Sequence, residues 1–251
     1  MLLMDAGFPD PPGLDTAISH ALLLQVARRE RESVLRLHKP GSVVAFGRRD
    51  AVHPGYRRAV AAALASGFGA VERLAGGRAA VFHPGTIAFS WTVPVDDPRA
   101  GINERFQEIS TIMVDAFRVL GADAHVGEVP GEYCPGAHSV NIGGTRKVMG
   151  VGQRIVSGAA HIGGVVVVSG GDQVAEVLIP VYEALCIEWN PATSGDLCSA
   201  TPGITTADVQ RAILDQFEAG YTLEPARLDE ATLALASELE PLHRPAHAPQ
   251  S

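Results

Sequence analysis

Apolar residues recur along this chain with two spacings, one typical of helices and one typical of strands. Over residues 102–120 they return every third or fourth position, which predicts an amphipathic helix. Weaker repeats of the same kind predict further helices over residues 14–32, 54–66, 172–187, 205–220 and 228–239. Pro180 lies inside one of these repeats and predicts a kink there.

Short runs rich in β-branched and aromatic residues, separated by glycine and proline, fill most of the remaining chain. They predict strands in the segments SVLRLHK, SVVAFG, AVERLA, AAVFH and TIAFSWTVP. Residues 139–168 carry further runs of this kind in succession, which predicts a meander. Because helices and strands do not alternate strictly, the order of elements predicts an α+β fold with a mixed β-sheet flanked by helices.

The two ends of the chain carry no strong pattern. Residues 1–13 are rich in proline and are predicted to form a flexible arm, and residues 241–251 are predicted to be a disordered tail. Residues 14–240 are predicted to form a single domain with a helical C-terminal portion, since this length suits one large domain. The first residues include neither a basic segment nor a long apolar run, so no signal peptide is expected.

Composition narrows the classes of partner and cofactor. The formal net charge of −8 argues against sequence-independent binding to nucleic acid. No window approaches the roughly 18 apolar residues of a membrane span, so a membrane is not an expected partner either. Three cysteines without a CxxC spacing fit neither a disulfide framework nor a zinc site, and no metal site is predicted. Reduced thiols are typical of the cytosol, so a cytoplasmic location is expected.

The segment VERLAGGRAAVFHPG contains the first candidate site. Gly76 and Gly77 follow a predicted strand and allow the backbone to approach a ligand closely. Arg73 precedes this turn and His83 follows the next predicted strand, so both side chains could face one pocket. Taken alone, the segment is better explained as a tight hairpin with a structural histidine.

The segment EYCPGAHSVNIGGTRKVMGVGQR contains the second candidate site. Cys134 lies in a Pro-Gly turn, where a nearby cation would lower the thiol pKa and make the thiolate nucleophilic. Lys147 follows on a predicted strand, and Gly150 favours the close approach of a ligand. On spacing alone, two unrelated surface residues are an equal alternative. His161, which precedes a later Gly-Gly pair, fits a structural role as well.

Taken in order, these segments resemble the lipoate–protein ligase and octanoyltransferase superfamily, whose catalytic domain has the biotin/lipoate ligase fold. The family's Arg-Gly-Gly-Ala-His signature is matched here by Arg73, Gly76, Gly77, Ala79 and His83. Its lysine run is matched by GGTRKVMGVGQR, with Lys147, Gly150 and Gln153, and its later His-Gly step by His161. The resemblance extends over roughly residues 14 to 220.

The resemblance implies a catalytic domain over residues 14–240 with assigned site residues. The acyl-binding residues would be Arg73, Gly76, Gly77, His83, Gly150, Gln153 and His161. Lys147 would donate to the acyl carbonyl and stabilise the negative charge that develops on its oxygen during transfer. EYCPG resembles the cysteine motif of the octanoyl amidotransferase branch, so Cys134 would be the nucleophile and Lys147 would lower its pKa.

The implied function is transfer of an octanoyl or lipoyl group to the lysine of a lipoyl domain through a Cys134 thioester, without a metal or other cofactor. The implied partners are lipoyl domains of 2-oxoacid dehydrogenases, the glycine-cleavage H protein and an octanoyl or lipoyl donor. One alternative is a lipoate–protein ligase that needs ATP and magnesium, although its nucleotide loop is not found in the sequence. The other is a non-catalytic protein that binds an acyl group or a lipoyl domain. Glu72 and Arg78 depart from the family's arginine and glycine and keep that alternative open.

Overall fold

The computed structural model describes residues 1–246, which contain two β-sheets. The strands are β1 (Leu2–Met4), β2 (Val34–His38), β3 (Val43–Phe46), β4 (Gly69–Glu72), β5 (Ala80–Phe82), β6 (Thr86–Pro94), β7 (Ala124–Val126), β8 (Val140–Ile142), β9 (Arg146–Val156), β10 (Ala159–Val167) and β11 (Glu224–Pro225). The main sheet has the order β11-β1-β2-β6-β10-β9-β8-β7, and the small sheet has the order β4-β3-β5. Both are mixed, because β1 pairs parallel with β2 and β3 pairs parallel with β4.

Helices pack on both sides of the main sheet. They are α1 (Leu14–Ala27), α2 (Arg48–Ala51), α3 (Tyr56–Ala65), α4 (Ile102–Val119), α5 (Gly171–Ala184), α6 (Leu197–Ala200), α7 (Thr206–Glu218) and α8 (Glu230–Leu239). Side chains of α4 and α7 form one hydrophobic core with alternate residues of β2, β6 and β10. The opposite face of the main sheet packs against α1, and α8 packs against α1. The small sheet forms a separate core with α3 and α5.

The α+β prediction, with a mixed sheet flanked by helices, is confirmed, and each of the six predicted helices is present. The prediction of a single sheet is wrong, because strands β3, β4 and β5 form a sheet of their own. Helix α1 ends at Ala27 rather than near residue 32, since Arg29 adopts a left-handed φ of 60°. None of the described helices is long and apolar enough to cross a membrane.

The two predicted flexible ends need correction. Leu2–Met4 form a strand between β2 and β11, because three apolar residues at the chain start complete the parallel edge of the main sheet. The predicted tail begins with an ordered 3-10 helix, Glu240–His243, whose buried His243 bonds the Glu72 carbonyl through Nδ1 at 2.7 Å. Residues 247–251 of the predicted tail lie outside the described residues.

Candidate active site

Cys134 lies between β7 and β8 in a turn with an unusual backbone conformation. Its φ is 43°, a left-handed value that is uncommon for a residue with a side chain. The Cys134 N–H donates to the Tyr182 hydroxyl at 2.9 Å, and that hydroxyl donates to the Ala79 carbonyl at 3.0 Å. Helix α5 and the start of β5 therefore fix the turn and support its strained conformation.

The Glu132 carboxylate, buried beneath the turn, organises its backbone. It accepts hydrogen bonds from the N–H groups of Val129 at 3.0 Å and Gly136 at 3.2 Å. It also accepts from the Ser139 hydroxyl at 2.6 Å. These donors satisfy the carboxylate although its side chain is excluded from solvent. Such a buried charge requires a cationic partner.

Lys147 supplies that cation. Its Nζ donates to Glu132 Oε1 at 2.9 Å, to the Tyr133 carbonyl at 2.9 Å and to the Cys134 carbonyl at 2.8 Å. An ammonium group has three donors, and all three are used in these contacts. In this arrangement Lys147 has no N–H left for an acyl oxygen, so its contacts support a different role from the oxyanion donor that the sequence resemblance implied.

A β-bulge brings Lys147 to this position. Between β8 and β9, Val140 faces Met149 but the next residue, Asn141, faces Lys147, so β9 has one extra residue. The bulge places Lys147 on the same face of the sheet as Gly150, where regular alternation would have separated them. A Cβ atom at Gly150 would lie 3.4 Å from Lys147 Cε, so the glycine leaves room for the lysine side chain.

The Cys134 sulfur is surrounded by hydrogen-bond donors. Arg73 Nη2 lies 3.3 Å from Sγ, and the Arg78 backbone N–H donates to it at 3.2 Å. Gly77, between these two residues, has a φ of 112°, and a Cβ there would lie 2.9 Å from the sulfur and 2.0 Å from Arg73 Nη2. The Arg-Gly-Gly segment and the Cys-Pro-Gly turn therefore form one site.

This environment favours the thiolate form of Cys134. Burial alone would raise the thiol pKa, but the charge of Arg73 lowers it, followed by the charge of Lys147 and the hydrogen bonds from Arg78 and Arg73. The net result is a pKa below the ordinary value of a cysteine. Among the cations, Arg73 acts most strongly, whereas the sequence assigned this effect to Lys147. A lowered pKa of this origin is typical of nucleophilic cysteines.

Arg78 and Glu72, the two departures from the family pattern, have identifiable partners. Arg78 Nη1 donates to the buried carboxylate of Asp50 at 3.1 Å, and Asp50 also accepts from the Gly47 N–H at 3.1 Å. The Arg78 side chain therefore anchors this residue to α2. This contact positions the Arg78 backbone N–H, which donates to the Cys134 sulfur. Glu72 accepts from the Tyr56 hydroxyl at 3.0 Å and takes no part in the contacts of the sulfur.

A cavity lies between the main sheet and the small sheet, next to Arg73. Its empty space is about 760 Å³, including its open mouth. Apolar side chains from both sheets line most of it, among them Val43, Val71, Leu74, Phe82 and Phe89. Gly163 and Gly164 of β10 contribute no side chains to it, which leaves room above the main sheet. The cavity can therefore hold an extended apolar group whose reactive end lies near the thiol.

The other residues that the sequence analysis assigned to the site are more scattered. His161 lines the cavity, and burial, followed by the charge of His20, lowers its pKa to about 4, so it is neutral near pH 7. His83 does not line the cavity; its Nδ1 accepts from the Gly85 N–H at 3.1 Å. Gln153 accepts from Arg105 Nε at 3.0 Å and donates to the Ile102 carbonyl, so it anchors α4. A Cβ atom at Gly76 would have no atom beyond its chain neighbours within 4 Å.

Sequence reasoning missed three residues of the site. Glu132 is two positions before Cys134, and the need of a buried lysine for a carboxylate could have identified it. Tyr182 and Asp50 carry no local signal, because each reaches the site from a helix distant in sequence. Within residues 1–246, no group of three His, Cys, Asp or Glu side chains could hold a metal ion.

Gly77→Ala is expected to disturb the thiol site, whereas Gly76→Ala is a matched control. The added methyl group at residue 77 would collide with Arg73 and crowd Cys134, in a backbone conformation that favours glycine. We expect alkylation of Cys134 by iodoacetamide at pH 7 to slow by about tenfold or more. A displaced Arg73 would stabilise the thiolate less, and a loss of about 1.4 kcal/mol in that stabilisation lowers the rate tenfold. A Gly77→Ala protein that reacts like Gly76→Ala would contradict the close packing of this turn.

Lys147→Met is expected to lower the free energy of unfolding by about 3–5 kcal/mol, because it leaves the Glu132 carboxylate buried without its cation. Urea denaturation measures this change. Arg154→Met, at an exposed position of the same strand, is the control and should stay within about 0.5 kcal/mol of the parent protein. The double variant Lys147→Met with Glu132→Gln should recover part of the loss. If Lys147→Met has the same urea midpoint as the parent protein, the Lys147–Glu132 ion pair does not stabilise the Cys134 turn.

Together, the fold and the site define a class of protein: an α+β domain with a cavity between two sheets and, beside it, a cysteine whose pKa is lowered. The sequence matches the lipoyl protein ligase A/B catalytic domain family over residues 11–218. This chain belongs to that family. A solved structure of lipoate-protein ligase A bound with ATP has the same fold, with a TM-score of 0.74 and 18% identity over 95% of this chain and 93% of that chain.

Two relatives illustrate the similarity in sequence. An octanoyl-GcvH:protein N-octanoyltransferase of Geobacillus kaustophilus is 29% identical over 66% of this chain and 59% of its own length. A protein of the same name from Anoxybacillus flavithermus is 25% identical over 90% of this chain and 79% of its own length. The match thus spans less than two thirds of the first relative's length.

Proposed function

We propose that this protein is an acyltransferase that moves an octanoyl or lipoyl group to the lysine of a lipoyl domain through a thioester on Cys134. The observation that carries the proposal is the Cys134 sulfur, held between Arg73 and the Arg78 N–H beside an apolar cavity. The names of the two relatives support this reaction and the glycine-cleavage H protein as donor. No metal or redox cofactor is required by the chemistry, because a thiolate can attack the donor directly.

The reaction has two steps. The Cys134 thiolate attacks the carbonyl carbon of the octanoyl-lysine amide of the donor; a carbon–sulfur bond forms, the carbon–nitrogen bond breaks, and the donor lysine leaves as an amine after taking up a proton. The acceptor lysine, as a neutral amine, then attacks the thioester carbonyl. A carbon–nitrogen bond forms, the carbon–sulfur bond breaks, the thiolate is restored and the amine loses a proton. A thioester retains enough transfer potential to form an amide.

Different residues serve the nucleophile and its support. The Arg73 guanidinium and the Arg78 N–H lie within 3.3 Å of the sulfur, so both can stabilise negative charge as the tetrahedral intermediate forms. Lys147 binds the carbonyls of Tyr133 and Cys134 and serves as a positioning residue for the turn. We therefore assign the oxyanion contact to Arg73 and Arg78 in place of Lys147.

The principal alternative is an ATP-dependent ligase, because the same fold occurs in lipoate-protein ligase A bound with ATP. We expect octanoyl transfer from octanoylated glycine-cleavage H protein to a lipoyl domain without nucleotide, and no stimulation by ATP and magnesium. Intact-mass measurement of both proteins follows the reaction. Transfer that occurs only from free octanoate with ATP and magnesium would favour the ligase.

The same experiment separates an enzyme from a non-catalytic binder. Incubation with the octanoylated donor should give a mass adduct on Cys134 that hydroxylamine removes, because hydroxylamine cleaves thioesters. An acyl-binding protein without turnover would form no adduct and modify no acceptor.

The three cysteines form no disulfides with one another, which supports our proposal that the protein works in the reducing cytoplasm.

A further inference from the structure

The cavity has a polar end opposite the thiol site. Asp15 and Ser19 of α1, His38 at the end of β2 and Ser90 of β6 line it together. A cavity built only for an alkyl chain would have apolar side chains there, as most of this cavity does. The polar end therefore needs an explanation from the group that occupies it.

A row of paired residues connects this polar end with the thiol site. Across the main sheet, Gly150 faces Val165, Val165 faces Ala88, and Ala88 faces His38. Three steps between neighbouring strands cover about 14 Å. Gly150 adjoins Lys147, which holds the Cys134 turn. An acyl chain that starts at Cys134 and lies across these strands would therefore point its far end toward His38.

Several polar groups at this end have no partner. Among residues 1–246, Nδ1 of the buried His38 makes no hydrogen bond. The hydroxyl groups of Ser19 and Ser90, which remain open to the cavity, have no hydrogen-bond partner in this part of the chain either. Buried polar groups in proteins normally have a partner, because an unmade hydrogen bond is unfavourable. These three groups come from three different elements and line the same cavity. Their arrangement fits a polar group of a ligand.

The charge at this end is already balanced. The Arg36 guanidinium contacts the Asp15 carboxylate, and Asp15 also accepts from the Phe8 N–H at 3.0 Å. His38 Nε2 lies 3.4 Å from Asp15. Burial, followed by the charge of Arg36, lowers the pKa of His38, so the ring is neutral near pH 7. A neutral ring that donates Nε2–H to Asp15 has an acceptor at Nδ1.

We propose that the preferred acyl group carries a neutral hydroxyl near its far end, bound by Ser19, Ser90 and His38. A hydroxyl both donates and accepts, which matches the two serine hydroxyls and the His38 acceptor. A carboxylate at the far end of the acyl group would be repelled by the Asp15 carboxylate. An ammonium group there would lack a free counterion, because Asp15 is already paired with Arg36. This inference rests on the proposed acyl transfer and specifies the substrate class of the same cavity.

The test compares two simple thioesters, octanoyl- and 8-hydroxyoctanoyl-N-acetylcysteamine, as donors to the full chain. Intact mass gives the rate of Cys134 acylation. We expect kcat/KM to be about tenfold or more higher for the hydroxylated donor, because a site with hydrogen-bonding groups disfavours the analogue without a hydroxyl. The double variant Ser19→Ala with Ser90→Ala should lower this ratio of kcat/KM values by a similar factor, so that the two donors react at similar rates. The change should come mainly from slower reaction of the hydroxylated donor.

Ser110→Ala is the matched control, because Ser110 is fully buried but does not line the cavity. It should leave the ratio of the two donors unchanged. The single variants Ser19→Ala and Ser90→Ala give the same comparison if the double variant does not fold. Equal rates, or a wild-type preference for octanoyl, would overturn the inference while leaving acyl transfer intact. No Cys134 adduct from either donor, or from the octanoylated carrier protein, would refute the proposed function and this inference with it.

Discussion

Replacing Cys134 with serine is expected to reduce octanoyl transfer by roughly 10²- to 10⁴-fold, the range that a missing general base costs. A serine hydroxyl must lose its proton to become a nucleophile, whereas the Cys134 thiol has a lowered pKa and loses it readily. The two groups that contact the sulfur, Arg73 and the Arg78 N–H, are donors and cannot accept a proton. Serine at this position would therefore stay protonated.

Transfer between purified carrier protein and lipoyl domain, followed by intact mass, measures this loss. Cys186→Ser is the control, since Cys186 is exposed and should retain the parent rate. Circular dichroism tests whether Cys134→Ser is folded. We expect that it is, because the hydrogen bonds that hold the turn are made by the backbone of residue 134. If Cys134→Ser transfers octanoyl at the parent rate, the thioester mechanism is wrong and the acyl group reaches the acceptor directly.

The sequence predicted the helices and most strands well, because their apolar spacing is local. It did not predict the pairing of Leu2–Met4, since three apolar residues before a proline-rich segment carry no periodic signal. Their partners, β2 and β11, lie about thirty and more than two hundred positions away. The small sheet was missed for the same reason. Which strands pair is decided by long-range packing, which local spacing does not encode.

At the site, the order of motifs predicted the proximity of residues better than their contacts. Cys134 and Lys147 were expected to share one site, and the lysine does bind the Cys134 carbonyl. The closest cation to the sulfur is instead Arg73, which is 61 positions away in sequence. The β-bulge that turns Lys147 toward Glu132 is a one-residue shift of register, and no residue type announces it.

Arg73→Met is expected to have the second largest effect, because it removes the strongest of the charges that lower the Cys134 pKa. Burial raises that pKa, and in the variant the charge of Arg73 would no longer offset this effect. The thiol would therefore stay protonated at neutral pH. The midpoint of Cys134 alkylation by iodoacetamide should therefore move to higher pH. Octanoyl transfer at pH 7 should fall by roughly 10²- to 10³-fold, as for the loss of one preorganised donor at an oxyanion.

Arg49→Met, a change at an exposed arginine of α2, is the control and should leave the alkylation midpoint unchanged. The comparison with Lys147→Met separates the two cations of the site. Arg73 contacts the sulfur, whereas Lys147 contacts Glu132 and two carbonyls, so Arg73→Met should change reactivity at nearly constant stability. Lys147→Met should mainly change stability. If Arg73→Met leaves both the alkylation midpoint and the transfer rate at parent values, Arg73 does not stabilise the thiolate, and the Arg78 N–H with the charge of Lys147 must suffice.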